Sequence, residues 1–327
     1  MWEHSIGGKA DVEAMIKLAE DNYGSNSGMS SKKLITYQYF KNPCGEAYID
    51  MAVDKDNGKL AGQYIVMPME FYVEGKKCPC VLSMNTLTDK EYRGQGIFTG
   101  LAEVTYKRCA EEGRMFCYGS PNANSYHGFM EKLGFSEIGK IQTYVRPLLF
   151  YRHLKIDNVH VLNINDLHVI DEVWEKVKGK YPIMHVRDSS FIKYRYFDHP
   201  LNDYKIMYVN TEDAAGLIVG RVKDGGKIKR ASVIDIIFTK GSMEAGANLI
   251  GAMLRFFISQ KVRVVTARLM CDGEERDAII KSGFKMCREN KRVVNPPLIY
   301  RDFTKNGNSV LTDCRNWLIT MGDFDID

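Results

Sequence analysis

The chain has 327 residues, with 45 Lys or Arg against 41 Asp or Glu and a formal net charge of +4 at pH 7. The basic residues are dispersed, which argues against a nucleic-acid-binding surface. No apolar run approaches the roughly 20 residues of a membrane span, and the N-terminus lacks a signal-peptide pattern. We therefore expect a cytoplasmic protein, large enough for two domains and without a membrane span.

The eight cysteines and seven histidines show no spacing typical of a metal site. The closest pair, Cys78 and Cys80, is separated by a proline and has no second pair to complete a zinc site. We expect reduced thiols and no bound metal.

The first predicted elements in chain order are strands over 47–54 and 59–67, joined by the turn sequence Asp56-Asn57-Gly58. A second turn, Glu74-Gly75-Lys76, leads to a strand over 81–88. A helix over 97–112 follows, with Ile97, Leu101 and Cys109 on one face.

The segment 92–99, Tyr-Arg-Gly-Gln-Gly-Ile-Phe-Thr, joins that strand to the helix. Its glycines let the backbone turn so that successive N–H groups point at one anion, at the positive end of the following helix. Arg93 adds a cation beside it. A purely structural turn is the alternative interpretation.

A buried strand over 114–119 comes next, then the break Ser120-Pro121-Asn122, a short helix over 125–133, and Gly134-Phe135. This order of elements resembles the GNAT superfamily of acetyl-CoA-dependent N-acetyltransferases. The resemblance covers residues 1–146, and its best motifs are the Arg93 loop and the segment 122–135.

The resemblance implies that the loop binds the diphosphate of coenzyme A and that the end of the preceding strand binds the pantetheine arm. It implies acetyl-CoA as co-substrate and a small-molecule primary amine as acceptor, in a monomer or homodimer. Asn122 and Asn124 are equally plausible as helix caps. The candidate cofactor-binding residues are Asn85, Leu87, Thr88, Arg93, Gly94, Gln95, Gly96, Ile97, Phe98, Thr99, Asn122, Asn124 and Tyr126.

In that superfamily a Tyr four residues before the Gly of the Gly-Phe pair commonly protonates the departing thiolate, and this chain has Met130 there. Tyr126, one helical turn earlier on the same face, is the better replacement, and His127 is the other. The alternative is that Tyr126 packs, that His127 is solvated, and that the thiolate leaves without a dedicated acid.

The second half resembles a copy of the first. Tyr-x-Tyr-Phe-x-x-Pro at 37–43 recurs at 194–200, and Leu-Gly-Phe at 133–135 is echoed by Ser-Gly-Phe at 282–284. The second copy has Lys240–Gly246 in place of the loop, without the Arg and with Glu244, which would repel an anion. We predict an α/β (α+β) protein of two tandem GNAT-like domains, each a mixed, mostly antiparallel twisted sheet flanked by helices, with the second copy degenerate.

The predicted boundaries are 1–150 for the domain with the acetyl-CoA site, 151–304 for the degenerate domain and 305–327 for a tail that packs on the domains. Asp235 is a lone carboxylate in the apolar strand 233–237. It is a candidate base or amine anchor, or else it meets an arginine such as Arg221 in the core.

The aromatic and acidic segment 317–325 resembles the tail of GNAT-like proteins that accompany bacterial surface-polysaccharide synthesis. That resemblance implies an amino sugar or sugar-linked acceptor, with Asp323 or Asp325 folded back to the pocket. The alternative is an aromatic plug over the domain seam.

Three functions follow. The first is an N-acetyltransferase with one acetyl-CoA site. The second is a non-catalytic acyl-CoA sensor, which Met130 would favour. The third is a cell-wall aminoacyl transferase using charged tRNA, which predicts a basic stripe and no diphosphate loop, the reverse of what this sequence has.

Overall fold

The computed structural model describes residues 1–25, 27–148, 156–223, 228–290, 294–304 and 307–324. The strands are β1 (Trp2–Ile6), β2 (Tyr48–Asp54), β3 (Leu60–Val73), β4 (Lys76–Thr88), β5 (Phe116–Gly119), β6 (Ser136–Lys140), β7 (Gln142–Pro147), β8 (His160–Val161), β9 (Ile183–His185), β10 (Lys205–Asn210), β11 (Ala215–Lys223), β12 (Arg230–Phe238), β13 (Val264–Met270), β14 (Lys285–Met286), β15 (Pro297–Asp302) and β16 (Trp317–Thr320). The α-helices are α1 (Val12–Tyr23), α2 (Lys32–Phe40), α3 (Ile97–Glu111), α4 (Ala123–His127), α5 (His168–Val177), α6 (Ser189–Ile192), α7 (Met243–Ser259) and α8 (Glu274–Lys281).

The chain divides into two compact units. Unit 1 consists of Met1–Phe71, Cys78–Ile138 and Leu298–Asn308, and unit 2 consists of Tyr72–Lys77, Gly139–Pro297 and Ser309–Asp327. The division into domains at 150 and 304 stays a prediction. The structure adds that each unit is built from separate stretches of chain.

Unit 1 contains a sheet in the order β1-β2-β3-β4-β5-β15-β6. The pairs β1–β2, β2–β3 and β5–β15 are antiparallel, and β4–β5 is parallel. Helix α3 packs its apolar face on this sheet, with Leu101 and Cys109 almost fully buried. The crossover from β4 through α3 to the parallel β5 is the unit that positions the Arg93 loop.

Unit 2 repeats this plan. Its strands run β8-β10-β11-β12-β13, with β12–β13 parallel and its neighbours antiparallel. Antiparallel β7 covers the far edge of β13 and pairs with β14. Helix α7 packs on the sheet through Leu249, Met253 and Phe257, which are fully buried.

One strand in each unit comes from a distant part of the chain. In unit 1, β15 lies between β5 and β6, although about 180 residues separate β5 from β15. In unit 2, β7 lies between β13 and β14. β15 follows the chain of unit 2 and β7 that of unit 1, yet each strand pairs within the other unit's sheet.

The predicted fold class is confirmed: both units have mixed, mostly antiparallel sheets flanked by helices. The predicted short helix over 125–133 begins earlier, at Ala123, because Asn122 caps it, and it continues through a π-helical turn, Gly128–Lys132. The predicted strand over 81–88 begins earlier, at Lys76, the last residue of the predicted turn.

Candidate acyl-CoA site

The Arg93 loop has the backbone that its glycines predict. Gly94 has φ +82° and Gly96 has φ +74°, in the left-handed region that favours glycine. A Cβ added at either residue would meet no atom within 4 Å, so the space above both is open. Arg93 is exposed beside them.

Neighbouring side chains hold this loop in place. Trp2 Nε1 donates to the carbonyl oxygen of Gln95 at 3.2 Å, and Thr99 Oγ1 donates to that of Gly96 at 3.1 Å. Ile97 is 2% exposed, and the ring of Phe98 packs edge-on against a core aromatic, with 5.4 Å between centroids. Phe98 therefore points inward and leaves the outer face of the loop to its backbone.

The loop amides are available to a ligand. Within the described residues, the N–H groups of Gly94, Gln95 and Gly96 donate no hydrogen bond. The first turn of α3 carries no acidic residue. Unpaired N–H groups at a helix N-terminus, with a guanidinium nearby, are suited to bind an anion such as a diphosphate.

The end of β4 departs from regular strand geometry. β4 pairs with β5 at Val81 and Leu82, and three residues further on Asn85 has φ +48°. Leu87 is 3% exposed, whereas Asn85 and Thr88 are partly exposed. The predicted arm-binding stretch therefore lies beyond the observed β4–β5 pairing.

The two asparagines after β5 differ. Asn122 Oδ1 accepts from the N–H of Asn124 at 2.9 Å and of Ser125 at 3.2 Å, so Asn122 is the N-cap of α4. Asn124 is exposed in the first turn. In this structure Asn122 therefore acts as a helix cap, one of the two alternatives expected from the sequence.

Tyr126 and His127 both lie on α4. Tyr126 Oη donates to Glu137 Oε2 at 2.6 Å, and this hydrogen bond to a carboxylate raises the pKa of Tyr126. His127 is exposed and lies 3.5 Å from Glu131. Met130, at the family's Tyr position, is partly buried against the core. Glu137 belongs to no sequence motif, and only the fold brings it to Tyr126.

In unit 2 the corresponding loop is already filled. Gly241, 147 positions after Gly94, has φ +80°, and its N–H donates to both carboxylate oxygens of Glu274, at 2.9 and 3.1 Å. Lys180 lies 3.0 Å from the same carboxylate. A protein carboxylate thus occupies the position of an anion. Glu244, which the sequence predicts as the interfering acid, lies instead in the exposed first turn of α7.

In unit 2, another part of the chain also occupies the gap where the parallel strands β12 and β13 separate. β12 and β13 pair as far as Val233 and Ala267, and beyond that point β13 pairs instead with β16, through Leu269 and Met270. Because β7 covers the other edge of β13 at Leu269, β16 must lie on the β12 side. The C-terminal strand therefore occupies the opening between β12 and β13.

Asp235 lies in unit 2 and is 1% exposed. The expected partner Arg221 is replaced by Arg187, whose Nε and Nη2 donate to its two oxygens at 2.9 and 3.0 Å. Asp323 folds back to the same guanidinium at 2.9 Å, and Thr320 Oγ1 donates to Asp235 at 2.9 Å. Asp235 is thus an ion-pair partner that holds the tail, while Asp325 lies outside the described residues.

A family comparison agrees with unit 1. Residues 7–138 match the model of the acetyltransferase (GNAT) domain. The matched stretch contains the Arg93 loop, the end of β4, and α4 with Tyr126 and His127. No curated protein matches the chain.

The GNAT fold extends over most of the chain in solved structures. A GCN5-related N-acetyltransferase from Anabaena variabilis has a TM-score of 0.69 and 12% identity, covering 93% of this chain and 73% of that one. A probable N-acyltransferase from Enterococcus faecalis has a TM-score of 0.68 and 11% identity, covering 93% and 72%. N-myristoyltransferase from Saccharomyces cerevisiae, with bound myristoyl-CoA, has a TM-score of 0.59 and 12% identity, covering 91% and 82%. At these identities the likeness shows the fold.

Across the described parts of both units, no helix has the length and apolar character to span a bilayer.

Proposed function

We propose that this protein is an acetyl-CoA-dependent N-acetyltransferase with a single cofactor site, in unit 1. The contrast between the two loops carries the proposal. Among the described residues, the N–H groups of Gly94, Gln95 and Gly96 donate no hydrogen bond, whereas the N–H of Gly241 donates to Glu274. Because a protein carboxylate already binds the N–H group before α7, the open N–H groups before α3 support an anionic ligand there.

The arm of the cofactor runs back from the loop along Asn85–Thr88. The amine nitrogen of the acceptor attacks the thioester carbonyl carbon, a C–N bond forms, and the C–S bond breaks. The amine loses one proton and the departing thiolate gains one, so acetylated amine and free coenzyme A are the products. Tyr126 is the candidate donor of that proton, and its raised pKa keeps it protonated at neutral pH.

The acceptor is a small-molecule primary amine. An amino sugar or sugar precursor is the first choice, resting on the resemblance of the segment 317–325 to tails of polysaccharide-cluster enzymes. Catalysis takes place in the cytoplasm, by a monomer or homodimer.

A second candidate function is acyl-CoA sensing without turnover. Met130 in place of the family's Tyr favours it, as does the commitment of the Tyr126 hydroxyl to Glu137. A sensor would bind acetyl-CoA and release no thiol when amines are added.

Calorimetric titration with acetyl-CoA tests the cofactor site. Gly94→Glu puts a carboxylate into the open space above the loop and should weaken binding by about tenfold or more, and Arg93→Ala should weaken it less. Gly241→Glu is the matched control, since Gly241 has the same φ and equally open space, and it should leave binding unchanged. Binding that is insensitive to Gly94→Glu would remove the Arg93 loop as the cofactor site.

A further inference from the structure

A buried polar cluster lies beside the kink in β4 of unit 1. Gln63 of β3 is 2% exposed, and its Nε2 donates to the carbonyl oxygen of Asn85 at 3.0 Å. Asn85 Nδ2 in turn donates to Tyr39 Oη of α2 at 2.9 Å. Gln63 and Tyr39 thus hold Asn85 through its backbone and its side chain.

These hydrogen bonds stabilise the left-handed backbone conformation of Asn85 within a strand. Asn tolerates φ +48° better than most residues, but the conformation still has a cost that surrounding contacts must offset. Asn85 is partly exposed, which places the cluster directly beneath the surface of β4. The kink lies in the stretch that the proposed function assigns to the cofactor arm.

Two buried oxygen atoms at this place have no hydrogen-bond partner among the described residues. Gln63 Oε1 is buried and receives no hydrogen bond from the described residues, and the same holds for Thr86 Oγ1 on the adjacent part of β4. Leaving a buried amide oxygen without a donor is costly, and such atoms are uncommon in folded proteins. An N–H or O–H group of a bound molecule would satisfy these oxygens.

We propose that Gln63 positions the attacking amine, with Oε1 accepting a hydrogen bond from the amine N–H directly or through one water molecule. This inference rests on the proposed function, since the amine must meet a thioester lying along Asn85–Thr88. The residues of the cluster, Tyr39, Gln63, Asn85 and Thr86, are uncharged, so they favour a neutral amine over an ammonium ion. Gln63 takes no proton, and the proton released by the amine still goes to the thiolate.

Thiol release from acetyl-CoA, with hydroxylamine and with glucosamine as acceptors, tests the role of Gln63. Gln63→Met keeps the size of the side chain and removes both polar atoms. It should raise KM for both amines by about tenfold and weaken acetyl-CoA binding by a clearly smaller factor, since Asn85 loses one of its hydrogen bonds. Gln63→Asn keeps an amide but withdraws it by one methylene, so it should raise KM similarly even if Gln63→Met does not fold.

Tyr64→Phe is the matched control. Tyr64 is the next residue on β3, and its ring packs against Tyr106 of α3. Like Gln63→Met, Tyr64→Phe removes a buried polar group. It should leave KM unchanged. The inference would be overturned if Gln63→Met raised KM no more than Tyr64→Phe does. It would also be overturned if Gln63→Met weakened acetyl-CoA binding by the same factor by which it raised KM. No acetyl-CoA binding by the natural chain would instead reject the proposed function, and binding without turnover of either amine would leave only the sensor.

Discussion

Glycine backbone alone does not make an anion site. Gly94 and Gly241 have nearly the same φ and equally open space. What differs is the partner of the N–H group: in the described part of the chain Gly94 has none, whereas Gly241 donates to Glu274. The sequence shows both glycines, but Glu274 lies 33 residues after Gly241 and reaches it only through the fold.

We predict that turnover depends on Tyr126 more than on any other side chain of unit 1. Tyr126→Phe should lower kcat by about a hundredfold with little effect on acetyl-CoA binding, because the thiolate loses its proton donor. The hydrogen bond to Glu137 raises the pKa of Tyr126 and so keeps it protonated to higher pH. Glu137→Gln should lower that pKa and move the alkaline decline of kcat to lower pH, as a pH–rate profile would show.

His127→Ala is the comparison for this test. His127 is exposed and one position further around α4, so it should retain most of the activity if Tyr126 is the acid. A large loss in His127→Ala together with full activity in Tyr126→Phe would assign the proton to the histidine.

At the scale of elements, β16 and the turn after it occupy the opening between β12 and β13 in unit 2. β16 pairs with β13, and Asp323 ties the following turn to Arg187. Trp317 is fully buried, and its Nε1 donates to the carbonyl oxygen of Leu311 at 3.1 Å. The segment is thus part of the core of unit 2, which explains its aromatic composition.

Asp323 should make stability depend on pH. Burial raises its pKa to about 6, Arg187 opposes the rise, and Asp235 adds to it. A carboxyl with a higher pKa in the folded chain than its unfolded value of about 3.9 stabilises the fold at low pH, and this contribution is lost as pH rises through about 4 to 6. From pH 4 to 7 the natural chain should lose on the order of 2 kcal/mol of unfolding free energy relative to Asp323→Asn, measured by urea denaturation.

The difference between the two unfolding curves is the informative quantity, because carboxyls remote from Arg187 titrate equally in both proteins. Asp323→Asn also alters the hydrogen bond from the N–H of Thr320, and that effect is a constant offset. A difference that stays constant from pH 4 to 7 would contradict the raised pKa.

At the scale of the whole molecule, the exchange of β7 and β15 makes each unit depend on a remote part of the chain. Without β15, the edge of β5 in unit 1 would have no partner where Ile299 and Tyr300 now pair with Gly119 and Tyr118. An unpaired apolar edge strand exposes hydrogen-bonding groups and favours aggregation.

A fragment of residues 1–150 should therefore aggregate or fail to unfold cooperatively, although it contains the whole matched GNAT segment. Residues 1–138 joined by a flexible Gly/Ser linker to 298–308 should unfold cooperatively, because they restore β15 beside β5. Circular dichroism during thermal unfolding compares the two. Cooperative unfolding of 1–150 alone would show that β15 is dispensable for unit 1.

The sequence by itself determined the local features of this protein. The hairpin turns and the glycine loop before α3 depend on neighbouring residues, whose backbone preferences act at short range. Tertiary structure alone decided which distant groups meet: Glu274 at Gly241, Arg187 at Asp235, Glu137 at Tyr126, and β16 in the opening of β12 and β13. Such pairings depend on the relative placement of whole elements. The sequence around a side chain does not show which distant residue the fold will bring into contact with it.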